Sequence, residues 1–90
     1  MKTAEYNECM EQIELWSVNN LSTVIQEQIT LAQNAIRQCI VGHAGHAATY
    51  RAAMSMLYDV SLYGRDDTLV TVVTWLERCW AYAVEYNPTL

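Results

Sequence analysis

The sequence predicts an all-α protein, a compact antiparallel bundle of four helices, and three observations lead to this fold class. Apolar residues make up 52% of the 90 residues, enough to fill a small core. In four segments they recur three and four positions apart, which is the helical period. Short stretches rich in capping and helix-ending residues separate the segments. We expect a single domain over residues 1–90, with helices at about 4–18, 22–41, 46–63 and 67–86.

The first predicted helix is amphipathic. Thr3 is placed to cap its start, and Asn19-Asn20, whose side chains compete for backbone hydrogen bonds, is placed to end it. At about 100° per residue, one side carries the residues expected in the core: Tyr6, Cys9, Met10, Ile13 and Trp16. The other side carries four carboxylates: Glu5, Glu8, Glu11 and Glu14. Leu15 lies among these carboxylates, with Val18 nearby, as an apolar spot within negative charge.

The second helix is predicted from an apolar seam with a 4-3-4-3 spacing. The seam consists of Ile25, Ile29, Ala32, Ile36 and Cys39. A second row widens it: Leu21, Val24, Leu31 and Ala35. The remaining side is polar and is expected to face solvent: Gln26, Glu27, Thr30, Gln33, Asn34, Arg37 and Gln38. The helix should begin near Ser22 or Thr23, where Thr23 and Gln26 have capping-box spacing.

Glycines mark the joint between the second and third helices. Gly42 is suited to end the second helix in a left-handed conformation, and Gly45 frees the next turn. One kinked helix is the alternative, since an interior glycine costs only about 1 kcal/mol. The third helix is expected to pack small residues first and bulky ones later. The small residues are Ala47, Ala48, Ala52 and Ala53, followed by Met54, Met56, Leu57, Tyr58, Val60 and Leu62.

The fourth helix is predicted against the local preference of residues 69–74, which favours a strand. A 4-3-4-3 seam crosses the whole segment, and a lone strand would have no partner. The seam consists of Leu69, Val73, Leu76, Trp80 and Ala83. Asp66 or Asp67 should cap the start, and Asn87-Pro88 should end the helix.

The charge and the cysteine count restrict the function. The net charge is −5, and the chain lacks a basic patch, so we expect no direct binding of nucleic acid. No uncharged run approaches the roughly 20 residues of a membrane span, and the start of the chain lacks a hydrophobic signal core. Three widely separated cysteines indicate reduced thiols, and we expect a cytoplasmic protein.

The sequence offers little that would support catalysis or a cofactor. Cys39, His43 and His46 have a metal-like spacing, but two glycines interrupt the segment and no fourth ligand lies nearby, so we expect no metal. The carboxylates of the first helix are expected to be solvated, and no glycine loop could cradle a phosphate. We expect neither a cofactor nor an enzyme.

An interaction protein is the leading functional hypothesis. The acidic face of the first helix, with Leu15 as its apolar anchor, would meet a basic groove of another protein, one that otherwise holds nucleic acid. Trp75, Arg78 and Tyr82 lie off the fourth seam and are of the types enriched at binding hot spots. No stretch carries a family signature. In size and charge alone, the profile resembles that of phage-encoded inhibitors of bacterial defence, including anti-CRISPR proteins, which implies an inhibitor.

Two other functions stay open. His43, His46, Tyr50 and Arg51 could surround an anionic small molecule, such as a nucleotide, at the joint of the second and third helices. The chain could also be a structural subunit of a larger assembly. The apolar surface of the third and fourth helices can be covered in two ways: the four helices close on themselves, or two copies pair. The near absence of charge on the third helix favours a homodimer.

Overall fold

The computed structural model describes residues 1–63 and 66–90, and it confirms the predicted four-helix bundle. The helices are α1 (Thr3–Asn20), α2 (Thr23–Ile40), α3 (Ala47–Tyr63) and α4 (Asp67–Tyr86). Residues 69–74 are helical, so the apolar seam prevails over the local strand preference. The helix α1 packs mainly against α4, and α2 mainly against α3. Because α4 also contacts α2 and α3, it joins the two pairs.

The helix starts differ from the expected caps in two of three cases. Thr3 is the first helical residue rather than a cap, and its hydroxyl lies 3.0 Å from the hydroxyl of Tyr82 on α4. Ser22 caps α2 by accepting a hydrogen bond from the backbone N–H of Ile25. The expected capping-box partner Gln26 instead donates to the carbonyl oxygen of Leu21, at 2.7 Å. The capping role of Asp66 in α4 is confirmed, since its carboxylate accepts from the N–H of Leu69.

The end of α2 is the left-handed glycine cap that the sequence predicts. Gly42 has a φ of 101°, a value that glycine adopts without steric cost. Its N–H donates to the carbonyl oxygen of Cys39, and the N–H of His43 donates to that of Gln38. This pair of bonds is a Schellman motif, which satisfies carbonyls that the helix end would leave open. A 3-10 turn at Ala44–His46 follows, so α2 and α3 are separate helices.

Most residues of the predicted apolar seams lie in the core, but three positions of α2 differ from the prediction. Val24 and Leu31 are 59% and 45% exposed, so the second row does not reach the core at these positions. Gln33, expected in solvent, is buried, because its side-chain amide donates to the backbone carbonyl oxygen of Met10 on α1. A polar side chain can be buried there because its hydrogen bond to α1 offsets the loss of hydration.

Two further corrections concern α1 and α3. Trp16 is 40% exposed, and its neighbour Ser17 is buried in its place. The hydroxyl of Ser17 donates to the carbonyl oxygen of Ile13, 2.8 Å away, so its burial costs little. On α3, Ala48 and Ala52 are exposed although they were expected to pack. Of the bulky residues expected to pack, Tyr58 and Leu62 are also exposed, by 37% and 70%. The buried residues of α3 include four that were expected to pack, together with Tyr50: Ala47, Ala53, Met54 and Leu57.

The surface area of the single chain bears on the expected homodimer. The chain exposes 5357 Å², and a compact monomer of 10.3 kDa should expose about 5400 Å². One copy therefore covers its own core as well as a typical monomer does, and the homodimer stays a prediction. Among the described residues, no helix is long and apolar enough to cross a membrane.

Candidate interaction surface

The outer face of α1 carries the acidic residues that the sequence singled out. All four are exposed: Glu5, Glu8, Glu11 and Glu14. Leu15 and Val18 are 59% and 68% exposed on the same face. With Glu11, Glu14 and Asn19 they line an open depression of about 440 Å³. The structure thus places an apolar spot between carboxylates, as predicted.

Glu14 differs from the other acids of this face because it is paired within the protein. Its carboxylate accepts a hydrogen bond from the guanidinium of Arg37 on α2, over 2.9 Å. The same guanidinium also donates to the side-chain oxygen of Asn34. The pair is exposed and so contributes little stability, but it directs the Glu14 charge toward α2. Within the described part of the chain, no cation lies within 4 Å of the carboxylates of Glu5, Glu8 and Glu11.

Trp75 and Arg78 of α4 lie next to Glu5 and Glu8 of the acidic face. Both residues line an open depression of about 290 Å³, together with Glu5 and Glu8 of α1. Arg78 is exposed, whereas Trp75 is half-buried. The ring of Trp75 meets that of Trp16 edge to face, with centroids 6.0 Å apart. Trp16, which was expected in the core, is 40% exposed beside Trp75.

Tyr82 of α4 was predicted as a binding residue, but in the structure it contacts α1. Its ring stacks on that of Tyr6 of α1, with centroids 4.7 Å apart, and its hydroxyl lies next to that of Thr3. It lines neither of the two depressions on α1. Its contacts therefore hold α1 against α4, and a contact with a partner stays a prediction.

The residues of the alternative ligand site are brought together only in part. Tyr50 is buried and stacks on Trp80 of α4, with centroids 4.1 Å apart and planes 9° from parallel. Tyr50, Trp80 and Arg51 line an open depression of about 470 Å³ between α3 and α4. His43 and His46 are exposed in the joint before α3 and do not line it. Burial raises the pKa of the Tyr50 hydroxyl well above its usual value.

The three residues with metal-like spacing are not brought together as ligands. Cys39 is fully buried in the core, whereas His43 and His46 are exposed. Across residues 1–63 and 66–90, no group of three or more histidine, cysteine, aspartate or glutamate side chains is placed to hold a metal ion. Burial raises the pKa of the Cys39 thiol, which keeps it in the protonated form that binds metals poorly.

Comparison of the chain with protein-family models, curated proteins and solved structures found no match. The fold defines the class, a small four-helix bundle, and the chemistry of its surface is the basis for any functional conclusion.

Proposed function

We propose that the protein is an interaction module that inhibits another protein by covering a basic surface, one that otherwise binds nucleic acid. The observation that supports this most is the exposure of Leu15 and Val18 within the acidic face of α1. Isolated exposed leucines are common on protein surfaces. Here two apolar side chains one turn apart share a depression with carboxylates, which is the composition of a contact patch with a charged rim.

The spacing of the acids also suits a surface that binds nucleic acid. Glu5, Glu8, Glu11 and Glu14 are three residues apart, so successive carboxylates rise about 4.5 Å along the helix. Along one strand of a duplex, successive phosphates rise about 3.4 Å along the helix axis. The acidic face therefore offers a groove lined with lysine and arginine a row of negative charges, of which Glu14 is shared with Arg37.

Charge and apolar contact would have separate roles in such a complex. The net charge of −5 would speed the encounter with a basic partner, and salt would weaken this effect. The apolar side chains would hold the complex, since fully burying a leucine or valine is worth about 1.5–3 kcal/mol. Trp16 and Trp75 are of the type that contributes strongly at interfaces. Neither role requires a catalytic step, and we propose that the protein acts by occupying the partner's surface and not as an enzyme.

Affinity capture with matched variants tests this function. The baits are the wild-type chain, the α1 variant Glu8→Lys/Glu11→Lys and the control Glu27→Lys/Asp59→Lys, whose acids are exposed on α2 and α3. Both variants change the net charge by the same amount. We expect a protein from the host lysate that wild type and control retain, that the α1 variant loses, and that added duplex DNA displaces. Equal retention by all three baits would contradict the proposal.

A small-molecule site between α3 and α4 is the second candidate, because one observation favours it. The stacked rings of Tyr50 and Trp80 lie beside the guanidinium of Arg51 in one depression. Such a site would suit a ligand with a planar ring and an anionic group, with the aromatic pair as a wall, Arg51 as the counter-charge and the carboxylate of Glu77 on the same lining. A nucleotide that raises the melting temperature of the wild type but not of Arg51→Gln would support it. No shift across a nucleotide panel would remove nucleotides as its ligands.

A further inference from the structure

Two of the three thiols lie against each other between α1 and α4. Cys9 is half-buried on α1 and Cys79 is fully buried on α4, and both are free thiols. The thiol of Cys9 donates a hydrogen bond to the carbonyl oxygen of Trp75, at 3.4 Å. Since Trp75 precedes Cys79 by four residues in α4, this carbonyl is also the helical acceptor for the N–H of Cys79. The two thiols are also near enough that each shifts the pKa of the other.

We propose that Cys9 and Cys79 are a redox-modification site, where a small disulfide of the glutathione class converts the two thiols into an intramolecular disulfide joining α1 to α4. This inference does not depend on the proposed function. Cys39 has no part in it, because that thiol lies near the end of α2 and not where α1 packs against α4.

The surroundings assign different roles to the two thiols. Cys9 lines the depression next to Arg78, so a reagent from solvent reaches it first. Burial raises the pKa of the Cys9 thiol, and the neighbouring Cys79 and the charge of Arg78 make this rise smaller. Burial and the neighbouring Cys9 both raise the pKa of Cys79. Cys9 is therefore the attacking thiol and Cys79 the resolving thiol.

The reaction is a pair of thiol–disulfide exchanges. The Cys9 thiolate attacks one sulfur of oxidised glutathione, forms a mixed disulfide and releases one glutathione thiolate. The Cys79 thiol then loses its proton to solvent, and its thiolate attacks the sulfur of Cys9, which releases the second glutathione. The protein thiols lose two electrons and two protons, and oxidised glutathione becomes two molecules of reduced glutathione.

The new bond would link residues near opposite ends of the chain, which restricts the unfolded state strongly. We expect oxidation to raise the melting temperature by at least about 10 °C, reversibly with dithiothreitol. Because the Cys9 thiol already reaches the carbonyl oxygen of Trp75, one helical turn before Cys79, little rearrangement is needed to form the bond.

Tryptic mapping distinguishes the pairings, because the three cysteines fall in separate peptides. Peptides 3–37, 38–51 and 79–90 contain Cys9, Cys39 and Cys79 respectively. The full chain is incubated with oxidised glutathione, remaining thiols are alkylated, and the non-reduced digest is analysed by mass spectrometry. We expect peptide 3–37 joined to peptide 79–90, with peptide 38–51 alkylated.

Variants supply the controls for this map. Cys39→Ser should retain the link and the rise in melting temperature, whereas Cys9→Ser and Cys79→Ala should lose both. A glutathione adduct that persists on Cys9, a link between two copies of the chain, or a link to peptide 38–51 would overturn the proposal. If a variant fails to fold, the wild-type map alone still decides between these outcomes.

Discussion

The side-chain amide of Gln33 on α2 donates a hydrogen bond to the backbone carbonyl oxygen of Met10 on α1, across 3.2 Å. Both residues are buried, with 2% and 4% of their surfaces exposed. The helices α1 and α2 otherwise contact each other less than α1 contacts α4. This bond therefore fixes how the acidic helix sits beside α2.

Replacing Gln33 should destabilise the bundle more than replacing an exposed glutamine of the same helix. Gln33→Ala removes the hydrogen bond and leaves unfilled space, and we expect a loss of about 2 kcal/mol in the free energy of unfolding. Gln38→Ala, at an exposed position, should change it by less than about 0.5 kcal/mol. Urea denaturation measures both values, and equal losses would show that the Gln33 contact adds no stability.

The two glycines of the α2–α3 joint should respond in opposite ways to alanine. Gly42→Ala places a Cβ on a backbone with a φ of 101°, and we expect a cost of about 1 kcal/mol. At Gly45, where an added Cβ meets nothing within 4 Å, alanine should be neutral or stabilise by up to about 1 kcal/mol. Thermal denaturation of the two variants checks this, and a greater loss at Gly45 would contradict the assigned turn.

The protein should lose stability in alkali, in part through Tyr50. Burial raises the pKa of its hydroxyl, so above pH of about 10 the unfolded chain releases a proton that the folded chain keeps. The free energy of unfolding therefore falls as the pH rises, by at most about 1.4 kcal/mol per pH unit for this group. Tyr50→Phe should flatten the fall above pH of about 10, while Tyr86→Phe, at an exposed position, should not. Identical pH profiles for the two variants would contradict this.

Leu15 should matter for binding and hardly at all for folding. Its side chain is 59% exposed, so Leu15→Ser should change the free energy of unfolding by less than about 0.5 kcal/mol. In a complex that buries this side chain, the same change should speed dissociation about tenfold or more. Surface plasmon resonance with the captured partner measures the rate, and an unchanged rate would remove Leu15 as an anchor. Leu31→Ser, which changes an exposed leucine on α2, is the matched control.

Much of the fold could be predicted because the apolar seams are regular. The spacing in α2 and α4 indicates both helices, and the glycine at residue 42 and Asp66 mark their ends. The seam does not reveal that a glutamine completes the core, since Gln33 has the polarity of a solvent-facing residue. Its burial depends on a carbonyl oxygen of α1, 23 positions away in sequence.

The candidate surface was predictable where charge determines exposure and unpredictable where aromatic rings are involved. Four glutamates on one side of α1 have to face water, so their position follows from the helical period. Trp16 and Tyr82 could each pack inward or face outward, because such rings suit both environments. In the structure the ring of Tyr82 stacks on Tyr6 and is half-buried, whereas Trp16 stays 40% exposed although its ring meets that of Trp75.

The affinity of the captured partner for α1 variants is the most direct test of the proposed function. Isothermal titration calorimetry compares wild type, Glu8→Lys/Glu11→Lys and Glu27→Lys/Asp59→Lys, after circular dichroism has shown that all three are folded. We predict that the α1 variant raises the Kd at least about tenfold, or about 1.4 kcal/mol, while the control stays within about threefold of wild type. Equal Kd values for the two variants would contradict the assignment of the acidic face of α1 as the binding surface.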